Sequence, residues 1–402
     1  MHPVVVDKPY AFVPPHLGTW WPRFLQLFLR RRLRRGFGVV DIKCRGLERL
    51  RESLSAGHGV LLTPNHCRPC DPEVVCELCR QAGTAPLIMA SWHLFMQGPL
   101  KAFLLRRVGA FSVYREGLDR QALQAGIDIL QQARRPLVIF PEGVITRTND
   151  QLMALMEGPS FIARAAAKRR AEAAGGGQVV IHPVAIKYFF HGDLEPAIRS
   201  VLDDIERRLS WQPKRKGDLY ERIYRVGESL LCLKELEYLG QPQTGPIHQR
   251  VERLIDHLLG PLEQEWLNGH REKTVLTRVK KLRTAILPDM VEAQITDEER
   301  ERRWGQLADM YLAQQMSLYP PEYIKSKPTP ERMLETVERF EEDLTDVCRV
   351  YSPMTAIVQV GEAIPVSPAR EGRTREDPLM ATLEARLRSM LEELAEAISI
   401  KS

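Results

Sequence analysis

The chain has 402 residues, 44% hydrophobic and 27% charged, with a net charge of +5. That length allows two or three domains with an ample core, and the composition excludes a disordered or fibrous chain. The mild excess of base favours anionic partners such as phospholipid surfaces or phosphorylated substrates, and no nucleic-acid motif is present, so nucleic acid is not expected as a partner.

No run approaches the roughly 18 apolar residues of a membrane span, and no apolar stretch follows basic residues at the N-terminus as in a signal peptide. A cytoplasmic chain is therefore expected. The stretch from Trp20 to Leu33 sets Trp20, Trp21, Phe24, Leu25, Leu27, Phe28 and Leu29 beside Arg30, Arg31, Arg32, Arg34 and Arg35. Apolar groups next to an arginine block suit a helix lying in lipid headgroups, which would make the protein peripheral to a membrane; a helix packed on the core is the alternative.

Strands and helices then alternate. Val39–Lys43 and Gly59–Leu62 read as strands, and Pro72–Gln81 as a helix with Asp71 as N-cap and proline at its first position. A short apolar run at 86–90, a helix over 94–105, a strand near 110–114, a helix over 119–133 and a buried strand at 136–140 follow. The next helix, 159–174, should stop at Gly175-Gly176-Gly177 before a strand over 179–188. This alternation predicts an α/β fold with a mostly parallel sheet flanked by helices.

From 194 to 350 the pattern is almost purely helical. Ile198, Val201, Leu202, Ile205 and Leu209 form one stripe; Ile247, Val251, Leu254, Ile255 and Leu258 a second; Met333, Val337, Phe340, Leu344 and Val347 a third, starting at Thr329-Pro330. Strand character returns at 355–360 and a last helix covers 379–398. A lone strand needs a sheet to join. The expected organisation is an amphipathic segment (1–37), the first part of an α/β domain (38–193), a large helical insertion (194–350), and a closing strand and helix (351–402).

The seven cysteines include two C-x-x-C pairs, Cys67/Cys70 and Cys76/Cys79. The spacer between the pairs is short for a zinc ribbon and the second pair falls on a helix, so no metal is expected and the thiols should be reduced and buried.

Four segments stand at or just beyond strand ends, where sites collect in open α/β sheets: Asn65-His66 with Asp71; Gly109 to Arg115; Phe140-Pro141-Glu142-Gly143; and Ile181 to Ile186 around Pro183. A carboxylate five positions from a histidine can hold one imidazole nitrogen and leave the other to take a proton. In order and spacing these segments resemble the glycerolipid acyltransferases of the glycerol-phosphate and lysophosphatidate acyltransferase family. Asn65, His66 and Asp71 fit N-H-x-x-x-x-D; Gly109 and Arg115 fit a glycine, hydrophobics and an arginine; Phe140 to Gly143 fit the start of F-P-E-G-T-R-S. Val144-Ile145 then intervene before Thr146-Arg147-Thr148. The resemblance covers roughly 59–188 and the chain after 355, not the helical insertion.

The resemblance implies an O-acyltransferase using acyl-CoA or acyl carrier protein as co-substrate and no other cofactor. Its acceptor would be a lysophospholipid or glycerol phosphate, first among them 1-acylglycerol-3-phosphate, met at a membrane surface. His66 would be the general base and Asp71 its orienter. Arg115 would bind the acceptor phosphate, and Arg147 would be a second phosphate ligand although displaced by two residues. Glu142 would bind acceptor hydroxyls or hold Arg115, Gly143 would permit close backbone approach, and Asn65 completes the substrate-binding set. Alternatives remain: another lysolipid or an amine as acceptor, a non-catalytic lipid-binding scaffold, Cys67 as nucleophile, or Arg115 and Arg147 as surface charges. His182 reads as part of its strand.

Overall fold

Residues 59–64 are all buried, and their side chains alternate between two apolar layers: Leu61 joins one, Val60 and Leu62 the other. That alternation is what a strand covered on both faces requires. The structure, a computed structural model, describes residues 8–173, 177–210, 217–292, 295–320, 322–368 and 377–399. Contacts divide the chain into two units: an α/β unit of 11–114, 119–192 and 350–402, and a helical unit of 193–349 with 115–118 and the segment ending at Tyr10.

In chain order the α/β unit runs α1 (Trp20–Phe37), β1 (Val39–Arg45), α2 (Leu47–Ser55), β2 (Gly59–Pro64), α3 (Asp71–Gln81), β3 (Leu87–Ser91), α4 (Pro99–Val108), β4 (Ala110–Val113), α5 (Arg120–Gln132), β5 (Leu137–Val138), α6 (Gly158–Glu172) and β6 (Val179–Phe190). The helical unit supplies α7 (Leu194–Ser210), α8 (Leu219–Leu239), α9 (Ile247–Leu267), α10 (Val275–Val291), α11 (Asp297–Ser317), α12 (Tyr323–Ser326) and α13 (Pro330–Thr345). The chain returns to the first unit as β7 (Met354–Val360), β8 (Ile364–Pro365) and α14 (Pro378–Ser399). The fold is α/β with a large helical region, the class expected from the sequence.

The sheet has eight strands in the order β1-β7-β6-β2-β5-β3-β4, with β8 also pairing β6. All neighbours are parallel except β6 with β7 and β6 with β8. The returning strand β7 is therefore inserted between β1 and β6, where both of its edges are paired. Pro183 lacks an N–H and still sits in the long central strand β6. It falls in the gap between β7, which pairs residues 184–190, and β8, which pairs 180–181. Helices α5, α6 and α14 cover one face of the sheet; α1 and α3 cover the other.

Three local expectations differ. Helix α3 begins with Asp71 inside it and Cys70 at the N-cap, because the Asp71 carboxylate is turned back to the preceding loop. The helix expected over 94–105 is later, starting at Pro99 after a short 3-10 turn at Trp92–Leu94. Helix α2 was not foreseen. The glycine stop after α6 falls on Gly175 and Gly176, which lie outside the described residues.

Within the helical unit, Arg222, Arg250 and Arg278 stand 28 residues apart, each four positions into its helix. Each is buried and binds a buried glutamate of the preceding helix: Glu206, Glu235 and Glu263. Ile223/Val226, Val251/Leu254 and Val279/Leu282 follow at the same offsets. The three stacked helices thus share one repeat, a buried ion pair beside an apolar pair. Among the described residues no helix is long and apolar enough to cross a membrane.

Candidate active site

Strand β2 ends at Pro64, and the next residue is fixed by β6. The Asn65 side chain acts as an extra strand rung: its Nδ2 donates to the Ile186 carbonyl at 3.0 Å and its Oδ1 accepts the Ile186 N–H at 2.7 Å. Asn149 repeats the device two residues along, exchanging the same pair of bonds with Tyr188 at 2.6 and 2.7 Å. Both asparagines are buried. They satisfy backbone groups of β6 and so pin two distant loops to one strand. Asn65 is therefore engaged with backbone, not open to a ligand.

His66 follows. Its Nδ1 lies 2.8 Å from Asp71 Oδ2. The same oxygen accepts the Arg68 N–H at 2.8 Å, and Oδ1 accepts the Tyr188 hydroxyl at 2.6 Å. Burial pushes the Tyr188 phenol well above its ordinary range, and Asp71 adds to this, so the hydroxyl keeps its proton and donates. A carboxylate surrounded by donors is an acceptor; Nδ1 then carries the ring proton and Nε2 holds the lone pair. Among the described residues no hydrogen bond reaches Nε2, and the side chain is 15% exposed while Asp71 is 0% exposed. The imidazole also packs on Phe140, ring centres 4.2 Å apart.

Glu142, expected at the acceptor hydroxyls or at Arg115, is 1% exposed, with one oxygen accepting the His66 N–H at 2.7 Å and the other the Met153 N–H at 2.8 Å. Burial pushes its carboxyl up to about 8, against the pull of those two donors. Gly143 has φ +71, and a Cβ there would meet Met156 Sδ at 2.5 Å, so this position requires glycine for internal reasons. The two extra residues after it carry the chain beneath His66: the Thr146 N–H and hydroxyl both donate to the His66 carbonyl, at 2.8 and 3.1 Å. Arg147 is buried, with φ 57.

Gly109 has φ +107, and a Cβ would lie 2.6 Å from the Pro86 carbonyl oxygen. Six residues on, Arg115 is grouped with the helical unit. His182 is fully buried, with Nε2 on Ser53 Oγ and Nδ1 on the Gly361 carbonyl, both at 2.9 Å. The Cys67 thiol is buried, directed to Asp71 Oδ1 at 3.9 Å and the Ile186 carbonyl at 4.0 Å. Cys70 and Cys76 are pushed up to about 12 by burial, which leaves them poor nucleophiles. Sequence reasoning missed Asn149, Tyr188 and Thr146. Their partners lie far away in the chain, and no local pattern marks them.

The geometry can take a proton from a hydroxyl at Nε2 and hold the resulting imidazolium against Asp71. Residues 41–187 match the family model described as Acyltransferase. No curated protein matches the chain. This stretch holds β2 to β5, most of β6, the His66–Asp71 pair and the loop through Glu142. Over residues 41–187 the chain is therefore an acyltransferase-family domain, of the kind shared by the glycerol-phosphate and lysophosphatidate acyltransferases.

Proposed function

We propose that the chain transfers a fatty acyl group from acyl-CoA or acyl carrier protein to the free hydroxyl of a lysophospholipid, 1-acylglycerol-3-phosphate first among them, with His66 as general base. The carrying observation is the 2.8 Å bond between His66 Nδ1 and the buried Asp71 in a domain of the acyltransferase family.

An alcohol is a weak nucleophile at neutral pH. In the proposed step His66 Nε2 takes the hydroxyl proton as the oxygen attacks the thioester carbonyl. Asp71 keeps the ring in the competent tautomer and stabilises its positive charge. The tetrahedral intermediate collapses with cleavage of the C–S bond, and the imidazolium returns the proton to the departing thiolate. No covalent acyl-enzyme is needed. Glu142 acts as a positioning residue through the His66 backbone. Asn65 pins the His66 loop to β6, Asn149 pins the loop that carries Thr146, and Thr146 holds the His66 carbonyl, so the base is fixed before substrate arrives.

The acceptor would be met at a lipid surface. On the α/β unit, α1 exposes Trp20, Phe24, Leu27 and Phe28, and α4 exposes Leu100, Phe103 and Leu104. Trp21 and Phe103 join the two helices edge to face at 5.6 Å. Leu29 and Leu33 bury the other side of α1, while Arg30 and Arg32 bind Glu77 and Glu73 of α3. Arg23, Arg31, Arg34 and Arg35 remain exposed beside the apolar residues. An apolar face rimmed by arginine suits anionic lipid headgroups.

The test is release of carrier thiol and formation of acylated product, followed by mass spectrometry across lysolipid acceptors. His66→Ala should lower acceptor-dependent turnover by about 100-fold or more. Wild-type release rates in that variant would overturn the mechanism. Leu27→Glu with Phe28→Glu should abolish cosedimentation with phosphatidylglycerol vesicles; unchanged binding would remove the proposed surface.

A further inference from the structure

Strand β2 ends opposite Val184, so past that point one edge of β6 would lack its ladder. The side chains of Asn65 and Asn149 supply it, and Asn149 holds both the N–H and the carbonyl of Tyr188. The height of Tyr188 along the strand is thereby fixed. Its side chain shares one apolar layer with those of Val184 and Ile186 and is only 1% exposed. Phenylalanine would fill that layer as well. A hydroxyl buried there has to be bonded, and this one donates to Asp71 Oδ1 at 2.6 Å.

Asp71 is fully buried, so its charge is spread by its donors and not by bulk water. Oδ2 takes two of them, His66 Nδ1–H and Arg68 N–H, both at 2.8 Å. On Oδ1 the Tyr188 hydroxyl is the one close donor among the described residues, since the Cys67 thiol lies at 3.9 Å. The hydroxyl keeps its proton for this bond, because burial and then Asp71 push the phenol well above its ordinary range. The Cys70 thiol, pushed up to about 12 by burial, also keeps its proton, and at 3.4 Å it can donate to the phenol oxygen. A chain of donors thus runs from Cys70 through Tyr188 to one oxygen of Asp71, and His66 sits on the other. The Arg68 guanidinium lies over the Tyr188 ring, 5.4 Å from its centre.

A carboxylate turns easily about its last bond. Bonds on both oxygens stop that rotation and keep Oδ2 toward Nδ1. Each donor also draws off negative charge that would otherwise favour the imidazolium. A base held too firmly in its charged form cannot take a proton at neutral pH. We propose that Tyr188 is a positioning residue for acyl transfer: its hydroxyl locks the Asp71 carboxylate and limits the negative charge that Asp71 presents to His66. The inference rests on the acyl-transfer reading only for the use His66 makes of the proton.

Two variants of the full chain move the donor in opposite directions. Tyr188→Phe removes it, and a tyrosine fluorinated beside the hydroxyl, incorporated in place of Tyr188, strengthens it. Proton uptake by the His66–Asp71 pair is followed by NMR on ring-labelled histidine, with the signal assigned by its loss in His66→Gln, and by the acid limb of the kcat/KM profile. Loss of the donor leaves more charge on Asp71, so in Tyr188→Phe the pair should take its proton at a pH higher by about half a unit or more. The fluorinated side chain should move uptake to lower pH. The other groups around the pair, Arg68, Cys67, Cys70 and Glu142, are the same in each protein compared. A bond that only satisfied a buried hydroxyl would lower the Tm of Tyr188→Phe and leave both titrations in place. Midpoints within about 0.2 unit of wild type in both variants would therefore overturn the proposal. If Tyr188→Phe does not fold, the fluorinated protein decides alone. A wild-type protein without turnover would sink the acyl-transfer reading while the NMR titration still decides the role of Tyr188.

Discussion

Asp71→Asn separates holding His66 from charging its surroundings. The carboxylate receives His66 Nδ1–H and Arg68 N–H on Oδ2, both at 2.8 Å, and the Tyr188 hydroxyl on Oδ1 at 2.6 Å. An asparagine whose oxygen takes the Oδ2 place keeps the first two bonds. Its NH2 then meets Tyr188, whose hydroxyl can turn toward Cys70 Sγ, 3.4 Å away, and accept. Geometry and tautomer survive while the negative charge is lost. Opposite unit charges about 4 Å apart attract by about 4 kcal/mol at an effective dielectric constant of about 20. Fully expressed against a positive His66 in the transition state, that is about a thousandfold in rate. The Arg68 and Tyr188 donors already spread the charge. The expected loss in kcat is therefore between about tenfold and about a thousandfold, with Tm nearly unchanged. Acceptor-dependent thiol release together with a thermal melt measures both. A folded Asp71→Asn protein with kcat within twofold of wild type would refute the charge argument. Asp71→Ala strands three donors and should lower Tm as well.

The other predictions concern the brace around His66. Gly143→Ala forces an L-residue into a left-handed backbone at about 1–2 kcal/mol and drives a Cβ onto Met156, whose N–H is held by the Pro141 carbonyl; a Tm drop of about 2 °C or more is expected, and an unchanged melt would refute the strain argument. The Glu142 carboxyl is raised from 4.5 to about 8 by burial, so its contribution to stability is full below about pH 4.5 and lost as pH rises through about 8. Wild-type stability should therefore fall over that window relative to Glu142→Gln, by at most about 5 kcal/mol, read as a lower Tm; parallel pH profiles would contradict this. Asn149→Ala strands the N–H and carbonyl of Tyr188, at about 1–3 kcal/mol each, and urea unfolding should show the loss; an unchanged midpoint would mean those bonds do not hold the loop.

The α/β unit was legible where burial leaves a simple pattern. The apolar run of β2 and the long run of β6 could only be central strands, and the stripe Leu123, Ile127, Leu130 marked α5, which Asp119 caps in the structure. The inference that the final strand rejoins the first sheet follows from edge pairing, and β7 lies between β1 and β6. Its direction was not legible, since a strand's sequence does not encode whether its neighbour is parallel. The His66–Asp71 pair could be read because the two residues share one short loop. The role of Glu142 could not, because its partners are backbone N–H groups of His66 and Met153 and not side chains with a chemical signature. The same holds for Asn65 and Asn149, whose partners sit on β6 more than a hundred and nearly forty residues away.

The helical region teaches a different lesson about legibility. Reading each helix for its own apolar stripe found α7, α9 and α13 but not the relation among neighbours. That relation is carried by charged residues. Arg222, Arg250 and Arg278 recur at equal spacing, and each binds a glutamate one helix back. Buried ion pairs of this kind give register more than stability, because desolvation offsets most of the attraction. A repeat fixed by register also defines what an ordinary residue is at every position. Arg283 stands where the two preceding helices carry Ile255 and Gly227, and among the described residues nothing bonds its buried Nε and Nη2. Packing alone would favour an apolar side chain in that slot.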